Sequence, residues 1–132
     1  MDDLYTDSAK RVMAIAQEQA NYFRHQAIGT EHLLLALTIE DKGVAGQVLK
    51  QAMVTPGDVR REIERLAGYG NLLRQSPSNY LPYSPKAKAV LDETRKQAFL
   101  TGAVRIGTEH FLLALLSDED ILSSRILTSL HV

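Results

Sequence analysis

Apolar residues recur at helical spacing along most of the chain. Ala9, Val12, Met13, Ala16, Ala20 and Phe23 form one stripe, and Thr6 before it is a candidate N-cap, so a first helix is expected over about 7–24. Gly29-Thr30-Glu31 ends that unit and starts another, with Thr30 read as the cap and Glu31 in a first turn where the helix dipole favours negative charge. The second helix, about 31–39, is apolar nearly all round and should be buried between its neighbours. After the turn Asp41-Lys42-Gly43, Val44, Ala45, Val48, Leu49 and Ala52 mark a short third helix. Thr55-Pro56 starts a fourth, striped by Val59, Ile63 and Leu66 and closed by Gly68. Its charges, Arg60, Arg61, Glu62, Glu64 and Arg65, fall on the face expected to meet solvent.

From Gly68 to Tyr83 the periodicity fails, because Gly70, Pro77, Ser78, Asn79 and Pro82 forbid a regular helix. This stretch reads as a linker. Tyr69, Leu72, Leu73, Tyr80, Leu81 and Tyr83 make it too apolar for a free tether, so it should pack over the groove between the flanking halves. Ser84-Pro85 then restarts the helical pattern, and Ala87, Val90, Leu91, Thr94 and Ala98 carry the stripe of a fifth helix. Gly107-Thr108-Glu109 opens a sixth helix, and Ile121, Leu122, Ile126 and Leu127 give a seventh.

The fifth to seventh helices copy the first to third. Residues 28–37 read IGTEHLLLAL and residues 106–115 read IGTEHFLLAL, nine of ten identical at an offset of 78. At that offset Thr6 meets Ser84, Ala9 meets Ala87, Val12 meets Val90, and Leu49 meets Leu127. Val132 aligns with Val54, so the eighth helix that would match 55–67 is missing. No segment alternates with strand period. The expected fold is all-α, two pseudo-symmetric tandem helical repeats sharing one core. The expected organisation is a single domain over 1–132, with repeat one at 6–67, the linker at 68–83 and repeat two at 84–132.

Composition adds exclusions. A net charge of −1 over 132 residues gives no electrostatic case for nucleic acid or an anionic membrane. There are no cysteines, so disulfides and thiolate metal sites are excluded and a reducing compartment is compatible. The acidic start Met1-Asp2-Asp3 lacks the apolar core of a secretory signal, and the longest apolar run, Leu33 to Leu37, is too short to span a bilayer. These features predict a soluble, cytoplasmic protein.

The unit Thr6-x-x-Ala9-x-x-Val12-Met13 followed by Ile28-Gly29-Thr30-Glu31-His32-Leu33-Leu34-Leu35-Ala36-Leu37, duplicated at this spacing, resembles the Clp repeat N-terminal domain of Clp/Hsp100 AAA+ unfoldases. The Gly-Thr-Glu-His wording resembles the ClpC branch more than ClpA or ClpB, and the resemblance covers residues 4–130. It implies an accessory module that binds protein substrates and adaptor proteins and catalyses nothing alone, with the ATPase modules and a ClpP-type protease engaged through the full-length chain. No Gly-x-x-x-x-Gly-Lys-Ser/Thr phosphate loop occurs, and no cofactor is expected.

The same resemblance implies two phosphoarginine sites, one per repeat: Glu31 with Thr6, and Glu109 with Ser84. The chemistry is coherent, since a carboxylate holds a guanidinium through two parallel hydrogen bonds and a helix start offers amides to the phosphoryl group. Lys86 follows Ser84 whereas Asp7 follows Thr6, which predicts that the site containing Ser84 binds the anion more tightly. Helix capping alone is the competing explanation for both glutamates. His32 and His110 lack the spacing of a chelating pair and read as structural histidines. No serine sits in a Gly-x-Ser-x-Gly context, and no catalytic constellation is evident. The alternative functions are an N-domain of another Clp/Hsp100 branch that binds exposed apolar segments, a free-standing Clp repeat protein, and a helical metal-dependent hydrolase.

Overall fold

A computed structural model describes residues 4–70 and 80–132. Seven helices are present among these residues: α1 (Asp7–Tyr22), α2 (Thr30–Ile39), α3 (Val44–Gln51), α4 (Pro56–Leu66), α5 (Pro85–Leu100), α6 (Thr108–Leu116) and α7 (Leu122–Ser129). The expected all-α repeat architecture is therefore present, and α5–α7 repeat α1–α3.

Side chains set these boundaries as the spacing suggested. The Thr6 hydroxyl accepts from the Ala9 amide at 3.1 Å and that of Ser84 from the Ala87 amide at 3.1 Å, so each long helix is capped by the residue just before it. Thr55 caps α4 through Asp58, with Pro56 at the first helical position. Gly68, at φ +66°, takes the left-handed conformation that ends α4.

One core serves both repeats. Leu33, Leu34, Leu35, Ala36 and Leu37 of α2 are all fully buried, which is why that helix is apolar on every side. They share a single cluster with Phe111, Ala114 and Leu115 of α6, with Val12, Val59 and Ile63, and with Ile126 of α7. Burying each such side chain contributes about 1.5–3 kcal/mol, and a separate half would expose the facing surfaces of α2 and α6. In the linker region, Leu81 is buried and belongs to this core, Tyr83 packs against it, and Tyr80 is exposed. Tyr69 lies over Phe23. Leu72 and Leu73 lie outside the described residues.

One capping assignment differs from expectation. Thr30 does not cap α2; Gly29 is the N-cap, and the His32 ring closes the turn by accepting the Gly29 amide at 2.8 Å. Thr30 instead reaches into the other repeat, its hydroxyl accepting from the Ser123 amide at 3.2 Å. Thr108 does the same in reverse, accepting from the Ala45 amide at 3.1 Å. The buried Glu40 joins α1 to the start of α3 by accepting from Arg11 at 2.5 Å and from the Gly43 amide at 2.9 Å. Burial works to raise its pKa, but the Arg11 guanidinium and the Gly43 and Lys42 amides outweigh that and hold it below the ordinary range.

Candidate functional site

Two short backbone bridges determine which helix start meets which. The Ile28 amide donates to Pro82 O at 2.8 Å and the Ser84 amide to Ile28 O at 2.9 Å, laying the approach to α5 beside the approach to α2. The Ile106 amide donates to Leu4 O at 2.7 Å and the Thr6 amide to Ile106 O at 2.9 Å, laying the approach to α1 beside that to α6. Each bridge crosses between repeats. The pairing expected from sequence is thereby corrected: Ser84 and Lys86 stand with Glu31, and Thr6 lies on the Glu109 side. An in-repeat site would need α1 to start beside α2, but an antiparallel neighbour that begins with the connecting loop places its start at the far end.

A cavity of about 310 Å³ opens where α2 and α5 begin, lined by His25, Gly29, Thr30, Glu31, Ser84, Lys86 and Leu122 among others. Glu31 occupies the second position of α2 and folds back over Gly29. A β-carbon added at Gly29 would lie 2.1 Å from Glu31 Oε1. Gly107 and Glu109 repeat the arrangement, with the corresponding distance 2.3 Å. Both glycines have ordinary negative φ, −100° and −106°, so glycine is needed here for space and not for conformation. Burial raises the pKa of the Glu31 carboxyl, opposed by its own backbone amide and by His25. Glu31 has no ion-pair partner among the described residues.

The other side of this cavity is built from the start of α5. The Ser84 oxygen accepts the Ala87 amide, leaving its own O–H to donate, and Lys86 also lines the cavity. At the other junction Asp7 stands in the first turn of α1, and the Ser8 hydroxyl, at the position of Lys86, accepts from Arg11. The two junctions therefore share a carboxylate on a glycine and a capping hydroxyl, and differ in local charge.

Sequence reasoning missed His25. Its Nδ1 lies 2.8 Å from His32 Nε2, and its Nε2 lies 2.7 Å from Gly68 O. The tautomers follow from the two ends: the Gly29 amide donates to His32 Nδ1, so His32 carries its proton on Nε2 and donates to His25 Nδ1; His25 Nε2–H then donates to Gly68 O. His25, Glu31 and His32 bring ligand atoms within 4.8 Å of one another. A divalent metal needs a lone pair on His32 Nε2, which this network has already protonated, so the trio does not fit a metal. In repeat two His110 likewise accepts the Gly107 amide at 2.8 Å, but it faces Thr101 Oγ1 at 3.3 Å, and Ala103 stands where His25 would be.

The seven-helix duplication, with one Gly-Thr-Glu-His helix start per repeat, matches the family model for the Clp repeat (R) N-terminal domain over residues 4–130. The chain belongs to this family. The Clp repeat domain is 38% identical over 127 residues to the ATP-dependent Clp protease ATP-binding subunit ClpC of Staphylococcus aureus (strain USA300), covering 96% of this chain and 15% of that one. It is 36% identical over 128 residues to the negative regulator of genetic competence ClpC/MecB of Bacillus subtilis (strain 168), and 34% identical over 128 residues to the chaperone protein ClpB of Oceanobacillus iheyensis. Each of these two alignments covers 97% of the chain, which spans 15% of the length of either relative. Among solved structures, the N-terminal domain of the chaperone ClpD from Arabidopsis thaliana superposes with a TM-score of 0.81 at 21% identity, covering all of this chain and 88% of that one. The Hsp104 N-terminal domain from Candida albicans gives 0.77 at 23% identity, over 97% and 82% of the two chains. ClpC and ClpB relatives both fall within a few per cent of one another, so overall identity does not separate the branches. Among the described residues of the Clp repeat domain, no helix is long and apolar enough to cross a membrane.

Proposed function

We propose that this Clp repeat domain recruits proteins to a ClpC-type unfoldase by binding phosphoarginine at two junctions between the repeats. The observation that supports this most directly is the Glu31 cavity. A desolvated carboxylate without an ion-pair partner among the described residues lies in the same cavity as a capping hydroxyl and a lysine at a helix start. A ligand suits the cavity if it carries a planar cation at one end and an anion at the other. Phosphoarginine has that form, its guanidinium meeting Glu31 and its phosphoryl group meeting Ser84, the Lys86 amide and the Lys86 ammonium. The second site uses Glu109 and Thr6. Two weak sites on one domain would hold a multiply marked protein more tightly than either alone. Adaptor binding, coupling to a ClpP-type protease and a cytoplasmic location belong to the same reading and involve the full-length protein.

Calorimetric titration tests the proposal, with free phosphoarginine, arginine and inorganic phosphate run separately on the wild type, Glu31→Ala, Glu109→Ala and the double variant. The reading expects phosphoarginine alone to bind well and the double variant not to bind. Equal weak binding of all three ligands, or a double variant that binds like the wild type, would overturn it. A second reading, capture of exposed apolar segments, draws on Phe99, Leu100 and Val104, which are 83%, 65% and 92% exposed at the end of α5. Binding of an unfolded protein that survives in the double glutamate variant would favour that reading.

A further inference from the structure

The His25–His32 relay has no role in the ligand contacts described above, and repeat two lacks it. It runs without a break from the Gly29 amide, through both rings, to Gly68 O at the end of α4. Around it the same two segments are clasped by the Gly70 amide donating to Phe23 O at 2.7 Å and by Tyr69 lying on Phe23 at 5.2 Å. His25 lines the cavity that holds Glu31, so the relay is at once a strut between α4 and the α1–α2 turn and a wall of the ligand site.

The relay conducts hydrogen bonds in one direction only. A proton added to His25 Nδ1 would face the Nε2–H of His32, two donors 2.8 Å apart, and that bond must break. The protonated ring would then lie within 4.8 Å of the Glu31 carboxylate, where it competes with any cationic ligand. Among the described residues, the other groups around the pair do not supply this response. From α4, Glu64 is held by the Tyr69 hydroxyl at 2.8 Å; from α1 comes Tyr22, from α5 the cation Lys86, and from α7 only the apolar Leu122.

The geometry points to an acid-sensitive latch: a proton on the His25–His32 relay breaks the bond between the two rings and sets a cation against Glu31, weakening cation capture at this junction and sparing the Glu109 junction. The effect on ligand binding rests on the phosphoarginine reading; the break between the two rings does not.

Two measurements test it. Phosphoarginine is titrated at about pH 7.5 and about pH 5.5 into Glu109→Ala, which retains the Glu31 junction, and into Glu31→Ala, which retains the other. Affinity should fall on the order of tenfold in the first and by less than about twofold in the second, the ligand's own titration being common to both. His25→Gln keeps an acceptor for His32 and a donor for Gly68 but does not titrate, so added to Glu109→Ala it should abolish the difference. Equal responses of the two junctions, or a response that persists in His25→Gln, overturn the latch at the binding site. Without ligand, the ring-nitrogen NMR resonances should show the His32 Nε2–H losing its bond to His25 between about pH 7.5 and about pH 5.5 in the wild type, but not losing its bond to the glutamine in His25→Gln. If phosphoarginine binds neither junction at neutral pH, the ligand reading fails and the ring result alone decides the latch; an unchanged bond between the rings overturns it.

Discussion

The hydroxyl of Thr30 accepts a hydrogen bond from the backbone amide of Ser123, 93 residues away, at 3.2 Å. The first residue of α2 thus satisfies a free amide at the start of α7, and Thr108 satisfies one at the start of α3. Each repeat completes a helix of the other. Thr30→Val keeps the shape and removes the acceptor, leaving a buried amide unmet at a loss of about 1–3 kcal/mol. Chemical denaturation of Thr30→Val should show that loss with an unchanged m-value, whereas a change under about 0.3 kcal/mol would mean the contact adds nothing.

Gly29→Ala should separate binding from folding. The backbone at φ −100° accepts alanine, but the new methyl would occupy the space of the Glu31 carboxylate, which must swing away. Stability should change by less than about 1 kcal/mol, while phosphoarginine affinity at the Glu31 junction falls on the order of tenfold. Paired thermal melts and titrations check both halves; retained affinity would mean that the carboxylate position is not used.

The two junctions should bind unequally. Lys86 accompanies Glu31, whereas Asp7 and Ser8 hold the equivalent positions opposite Glu109. The junction with Ser84 and Lys86 should be the tighter one, so Glu31→Ala should remove more affinity than Glu109→Ala. Lys86→Ser should narrow the gap and flatten the dependence on salt. Equal residual affinities in the two glutamate variants would refute the inequality.

Acid should destabilise the fold through His32. Burial, with His25 alongside, lowers its pKa from 6.5 to about 3. Above about pH 6.5 neither the folded nor the unfolded chain holds this proton and stability is unaffected. Below it the unfolded chain binds a proton that the fold refuses, so stability falls by about 1.4 kcal/mol per pH unit toward pH 3. The raised pKa of Glu31 acts in the opposite direction, stabilising the fold as that carboxyl protonates, and does so nearer the carboxylate range. Urea denaturation between about pH 6.5 and about pH 5.5 on a His25→Gln background isolates His32. His32→Gln, which can still accept from the Gly29 amide, should show a shallower slope.

Much of the architecture was legible in the chain. The stripes at Ala9, Val12, Ala16 and Ala20, the caps Thr6, Thr55 and Ser84, and the breaker Gly68 are local signals, and each acts within a few residues of its effect. His25 was not legible: its only trace is a departure from the repeat, with Ala103 in the other copy, and its partners Gly68 and His32 come from two different segments. Thr30 looked like a cap because threonine before a helix usually is one. A glycine can hold that position, however, when a histidine three residues on accepts its amide.

By itself the sequence determined the helices, the duplication and the residue types at each helix start, because hydrophobic period and capping are properties of neighbouring residues. Only the tertiary structure decided which start faces which. Ser84 stands with Glu31 because the two chain approaches pair across the repeats through Ile28, and no short-range pattern records such a backbone bridge.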